Sequence, residues 1–149
     1  MLALVSALTT SSMAKKTESY ADTSAFIAFA DKSDSYHALF RRLFSEPPAL
    51  LTSTMVVAEG HAWFLKRYDR TRALQFLAMI EEMRFLEIIP AGQRELDAAI
   101  AILRKFSEQD LTLVDATGLG LMSARRIRSC WSTDFHLGLT GIPLVVHAH

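Results

Sequence analysis

Short apolar segments alternate with longer amphipathic ones along this chain, and that alternation restricts the folds open to it. Tyr20-Ala21 reads as a short strand, and Thr23 or Ser24 then starts a helix over Ala25–Ala30. Ser35–Ser45 reads as a second helix, with Tyr36, Leu39, Phe40, Leu43 and Phe44 on one face and Pro47-Pro48 to stop it. Strand Ala49–Thr52 follows, then helices over Thr54–Lys66 and Asp69–Met83. Met55, Ala58, Ala62 and Leu65 form the apolar stripe of the first; Ala73, Phe76, Leu77 and Ile80 form that of the second. Phe85–Ile89 is a β-branched strand closed by Pro90. Arg94–Phe106 is amphipathic through Leu96, Ala99, Ile100 and Leu103, and Leu113–Arg126 is the most apolar helix. Arg128–Ser132 and Leu144–Val146 read as late strands. Strands alternating with helices imply an α/β fold with a mostly parallel sheet covered on both faces. In such sheets ligands bind beyond the carboxyl ends of the strands. Asp22 and Asp134 each directly follow a predicted strand and so fall on that edge.

With 149 residues, the chain is long enough for one domain with a real core. Hydrophobic residues at 50% and charged residues at 21% exclude a disordered chain. Lys+Arg and Asp+Glu both number 16, so any nucleic-acid contact must come from a local patch. Arg41-Arg42, Lys66-Arg67 with Arg70 and Arg72, and Arg125-Arg126 with Arg128 are the candidates; solvated helix ends are the plainer reading of each. The single Cys130 excludes an internal disulfide and a cysteine zinc framework, and fits a reducing, cytoplasmic setting. No apolar run reaches membrane-spanning length. Residues 1–14 lack the positive start of a signal peptide. Residues 1–16 are read as a flexible N-terminal extension, with Met13 as an alternative start, and 17–149 as a single domain.

Four acids stand alone inside or beside apolar segments: Asp22, Glu59, Asp115 and Asp134. Each has an ordinary explanation. Asp22 can cap the helix that follows, although Thr23 and Ser24 can do so equally well. Glu59 can snorkel or pair with a cation from elsewhere. Thr112-Leu-Val-Asp115 has capping-box spacing, while Asp110 lies in a polar turn and reads as a cap. Asp134 can cap a short helix at Phe135–Leu139. Gly118 and Gly120 cost about 1 kcal/mol each within a helix, which implies close packing or room for a bound group near Asp115.

Taken together, the four acids have a shared explanation. Carboxylates crowded within a few ångströms repel and retain protons unless a cation joins them. Mg²⁺ or Mn²⁺ takes oxygen ligands and leaves room for a phosphate oxygen. Such ions activate water and stabilise the leaving oxygen of a phosphodiester.

The ordered set of segments resembles the PIN-domain family and, within it, the VapC-like toxin ribonucleases. The match is carried by Asp22-Thr-Ser-Ala, Val56-Val-Ala-Glu59, Leu111-Thr-Leu-Val-Asp115-Ala and Ser132-Thr-Asp134, and runs from about Tyr20 to Val146. The resemblance implies a three-layer α/β/α sandwich with a five-stranded, mostly parallel sheet. It implies Mg²⁺- or Mn²⁺-dependent endoribonuclease activity, with Asp22, Glu59, Asp115 and Asp134 as the metal-holding catalytic quartet and no His or Lys base required. Thr23, Ser24 and Thr133 then stand as supporting hydroxyls. It also implies an RNA substrate, a cognate antitoxin protein as the inhibitor in a type II toxin–antitoxin pair, a homodimer, and no membrane. Two departures stand out. The first strand, Thr17–Ala21, is polar and short for a central one. After the fourth acid the family commonly has a basic residue and then His-Phe, where this chain has Phe135-His136-Leu137; His136 reads here as a hydrogen-bonded surface residue.

Two other functions fit parts of the pattern. An Asp after the first strand can be the nucleophile of a phosphatase-type hydrolase, although the usual second Asp is replaced by Ser24. A non-catalytic binding module could hold a basic peptide in the same acidic cleft.

Overall fold

The structure is a computed structural model that describes residues 18–148. The predicted extension over residues 1–16, and Thr17 of the predicted first strand, lie outside the described residues. The chain runs β1 (Ser19–Ala21), α1 (Thr23–Ala30), α2 (His37–Leu43), β2 (Leu50–Ser53), α3 (Thr54–Arg67), α4 (Arg70–Glu82), β3 (Leu86–Ile89), α5 (Gln93–Lys105), α6 (Leu113–Arg125) and β4 (Cys130–Trp131). Two 3₁₀ turns follow, Phe135–Gly138 and Val145–Ala148.

The sheet order is β3-β2-β1-β4, and every pair is parallel. Parallel neighbours need crossover connections, which the helices supply. From β1 the chain steps outward through β2 to β3, then returns to place β4 on the other side of β1. The order therefore reverses at β1 and β4, the switch point where parallel sheets open a crevice at their carboxyl ends. Ser19, Tyr20 and Ala21 are all buried, so a three-residue strand with a serine and a tyrosine does occupy the centre of the sheet.

The sequence expectation of five strands is corrected to four. Leu144 forms only an isolated parallel bridge to Cys130. Its carbonyl then accepts from His147 N–H at 3.1 Å, turning the chain into a 3₁₀ turn, and the two-residue β4 offers little edge to extend along.

Helix stripes follow the expected period in part: Tyr36 and Leu96, expected on buried faces, are exposed, and the face of α3 differs altogether. Ala73, Phe76 and Ile80 are the buried face of α4, as their spacing predicts. In α3 the buried residues are Val56, Gly60 and Phe64, whereas Ala58, Ala62 and Leu65 are exposed and Met55 is half-buried. The bare glycine decides this. A Cβ at Gly60 would stand 2.6 Å from Cε2 of Phe76, so α4 can close on α3 only along the Gly60 face. The Phe64 and Phe76 rings stack there with centroids 5.2 Å apart. A second aromatic group gathers Phe26, Phe40, Phe44 and Trp131, with Phe44 and Trp131 edge-to-face at 4.9 Å. It anchors α1 and α2 against β4, which holds fixed the strand that leads to Asp134.

Candidate metal centre at the carboxyl edge

Asp22 continues β1 by one residue: its N–H donates to the Trp131 carbonyl at 3.0 Å. It takes the N-cap position of α1, yet its side chain makes no cap hydrogen bond. The carboxylate is 4% exposed. Its Oδ2 lies 3.2 Å from both Ser24 Oγ and Ser132 Oγ, while Oδ1 is buried with no hydrogen-bond partner. Burial, with the charges of Asp115 and Glu59 added, pushes the Asp22 pKa up to about 7. The Thr23 hydroxyl beside it is also buried without a partner.

Ser24 and Ser132 join the two strand ends. Their hydroxyls are 3.1 Å apart, Thr133 N–H donates to Ser24 Oγ at 3.0 Å, and Asp134 N–H donates to Ser132 Oγ at 2.9 Å. Sequence reasoning named Thr133 as the hydroxyl neighbour of Asp134. In the structure Ser132 holds that place, and Thr133 contributes its backbone. The signal was available, because in the run after β4 side chains alternate and Ser132 shares the inward side with Cys130.

Asp115 is 6% exposed. The capping box predicted for it exists: Thr112 N–H donates to Asp115 Oδ2, and Asp115 N–H to Thr112 Oγ1, both at 3.1 Å. Thr112, not Asp110, is the cap, and Asp110 is exposed. Asp115 nevertheless faces the crevice. Asp115, Asp134 and His136 each offer one ligand atom, and these atoms lie within 4.8 Å of one another. Asp134 Oδ1 accepts from the His136 N–H at 3.0 Å and lies 2.9 Å from His136 Nδ1. His136 is hydrogen-bonded, as expected, and only partly exposed, and its ring nitrogen lies in the same group as Asp115 and Asp134.

Glu59 is half-buried on α3, and its pKa is raised by burial and then by Asp115 and Asp134. Asp22 feels the charges of Asp115 and Glu59, and Glu59 those of Asp115 and Asp134, while the group whose ligand atoms gather within 4.8 Å is Asp115, Asp134 and His136, with Asp22 and Glu59 outside it. Among the described residues, no Lys or Arg forms an ion pair with any of them. The cation-paired reading of Glu59 is therefore not what the structure has.

Gly118 lets α6 approach β1. A Cβ there would stand 2.8 Å from the Tyr20 ring and 3.2 Å from Leu137. At Gly120 a Cβ would meet nothing closer than Ile102 at 3.5 Å, so the expectation of close packing holds for one glycine of the two.

The model of the PIN domain matches residues 19–134. This chain belongs to the PIN-domain family. The 23S rRNA-specific endonuclease VapC20 of Mycobacterium tuberculosis is 26% identical over 124 residues, covering 82% of this chain and 93% of the relative. The crystal structure of VapC20, described as a sarcin–ricin loop cleaving toxin, superposes with a TM-score of 0.76 at 22% identity, over 83% of this chain and 95% of that one. A toxin–antitoxin complex from Klebsiella pneumoniae gives a TM-score of 0.57 at 19% identity, over 85% and 94% of the two chains. Homology to a toxin endonuclease and the PIN fold bear out the nuclease reading of the sequence. PIN-domain nucleases use divalent metal ions, and the acidic group of Asp115 and Asp134, with the buried, unpartnered Asp22 Oδ1 under the charges of Asp115 and Glu59, fits such an ion.

Members of two of the basic clusters have partners of their own on this PIN domain. Arg125 pairs with Glu87 at 3.6 Å, ten residues and about 15 Å along α6 from Asp115. Arg67 and Arg72 lie over the Tyr68 ring at 5.2 and 4.4 Å, at the far end of α3 from its first turn. No described helix is long and apolar enough to cross a membrane.

Proposed function

We propose that this chain is a metal-dependent endoribonuclease that acts as the toxin of a toxin–antitoxin pair. The observation that carries this is that Asp115 and Asp134 gather at the carboxyl edge of the sheet, with Asp22 and Glu59 close enough to act on them or on each other, and that no Lys or Arg among the described residues pairs with any of the four. These four residues would hold Mg²⁺ or Mn²⁺. When bound, the ion supplies Lewis-acid stabilisation of the scissile phosphate and activation of water.

The chain's own groups prepare that site. Ser24 and Ser132 fix Oδ2 of Asp22, which leaves Oδ1 free to accept. Thr112 fixes one oxygen of Asp115 and leaves the other for the crevice. His136 orients Asp134 through Oδ1. The low solvent exposure of Asp22 and Asp115 excludes competing water from these oxygens.

The phosphatase-type alternative lacks its second acid because position 24 is a serine, whose hydroxyl bonds Asp22 and lies 3.1 Å from that of Ser132. The acidic edge also suits a basic segment of an antitoxin, so we extend the proposal to an inhibitory antitoxin partner and a homodimeric toxin. Incubation with 23S rRNA, the RNA named for the M. tuberculosis relative, tests the chemistry. Cleavage with Mn²⁺ and none with EDTA is expected; equal cleavage in EDTA would overturn the metal-dependent reading. A non-catalytic module would leave the RNA intact in both.

A further inference from the structure

Phe135 is the most exposed large hydrophobic residue among those described, at 65%. A single exposed phenylalanine is unremarkable on a protein surface. Its place is not. It stands between Asp134 and His136, two of the three residues whose ligand atoms gather within 4.8 Å. It opens the 3₁₀ turn Phe135–Gly138, in which Leu137 is fully buried and so fixes the turn against the core. The backbone is held from the other side by the Asp134 N–H bond to Ser132 and the His136 N–H bond to Asp134. The ring therefore projects from an anchored turn. Its inner face lies against the His136 imidazole, with centroids 4.2 Å apart and planes 31° from parallel. The other face is open to solvent.

We propose that Phe135 is a stacking platform for a nucleobase next to the scissile phosphate. This rests on the endoribonuclease reading above. A phosphodiester bound at this site carries its flanking bases beside it. An aromatic face fixed at the rim of the site can receive one of them whatever its identity, because every base has a π-face. Among the described residues no Lys or Arg pairs with the carboxylates of this edge, so stacking supplies a contact to the flanking nucleotide that side-chain charge there does not. His136, held by Asp134, backs the ring.

The test is steady-state cleavage of a 23S rRNA fragment carrying the sarcin–ricin loop, with Phe135→Ala, Phe135→Leu and Phe135→Trp. The Ala and Leu variants should raise KM by about 5- to 150-fold, the worth of one base stack, while kcat changes little and thermal stability is retained. Trp should restore KM, whereas Leu, apolar but without a ring, should not. An abasic nucleotide beside the mapped cleavage point should remove the difference between wild type and Phe135→Ala. Equal KM for all four proteins overturns the platform while leaving the nuclease intact. Rescue by Leu as complete as by Trp also overturns it, since the contact is then merely apolar. Absence of cleavage by the wild-type protein overturns the nuclease reading and the platform with it.

Discussion

Ser132 donates to Oδ2 of Asp22 across 3.2 Å, a bond between residues 110 positions apart that ties the end of β4 to the end of β1. The same hydroxyl accepts from Asp134 N–H at 2.9 Å, so one atom sets the spacing of two of the four acids. Ser132→Ala leaves a buried carboxylate oxygen and a backbone N–H short of a partner. The expected loss is about 1–3 kcal/mol of folding stability, read by urea unfolding. Cleavage should fall by at least an order of magnitude, with Ser132→Thr recovering part of it.

The raised pKa of Asp22 gives metal-free stability a definite pH dependence. A carboxyl whose folded value, about 7, exceeds its ordinary 3.8 binds more protons folded than unfolded. Stability is therefore greatest at the acid end of this window and declines as pH rises from about 4 to about 7. The full penalty is about 4 kcal/mol, taking about 1.4 kcal/mol for each tenfold change in proton affinity. Asp22→Asn should flatten that decline, raise metal-free stability at neutral pH and abolish cleavage. Thermal melts in EDTA across pH 4 to 8 measure it; a wild-type stability that climbs through this range contradicts the assignment.

His136 acts through Asp134. With its imidazole removed, Asp134 keeps the backbone N–H of residue 136 but loses the contact at 2.9 Å that fixes its plane. His136→Ala is expected to weaken Mn²⁺ binding by about 10- to 100-fold, as loss of a partner that orients a ligand does. Titration of the Mn²⁺ dependence of cleavage checks this, since activity should return at high Mn²⁺.

The two helix glycines should separate. Gly118→Ala forces a methyl against the Tyr20 ring beneath Asp22 and should cost about 1–3 kcal/mol. Gly120→Ala meets ordinary contacts and should be neutral or stabilising by up to about 1 kcal/mol. Paired denaturation curves decide, and equal effects at both positions would contradict the packing described.

The parallel α/β fold was legible because strand and helix periods alternate without ambiguity and Pro47-Pro48 and Pro90 mark boundaries. The four acids stood out because each lies alone inside or beside an apolar segment. What stayed hidden depends on tertiary contact. The buried face of α3 is set by Phe76 packing on Gly60, which no periodicity in α3 alone reveals. The fifth strand failed because Leu144 turns into a 3₁₀ helix after one bridge. Ser132 was given no role and His136 no part in the site because their contacts come from partners: Asp22, 110 residues away, and an Asp134 whose own orientation depends on β4. Asp115 shows that a local and a functional reading can both hold, since one oxygen caps α6 while the residue still belongs to the acidic group.

The central claim is that these carboxylates converge to hold a divalent cation. Direct titration of the purified protein with Mn²⁺, followed by electron paramagnetic resonance, measures it in wild type and in Asp115→Asn. Asparagine retains the capping oxygen and removes the charge. Saturable binding of one or two ions by the wild type, weakened at least tenfold in the variant, is the predicted result; identical titrations for the two proteins would contradict it.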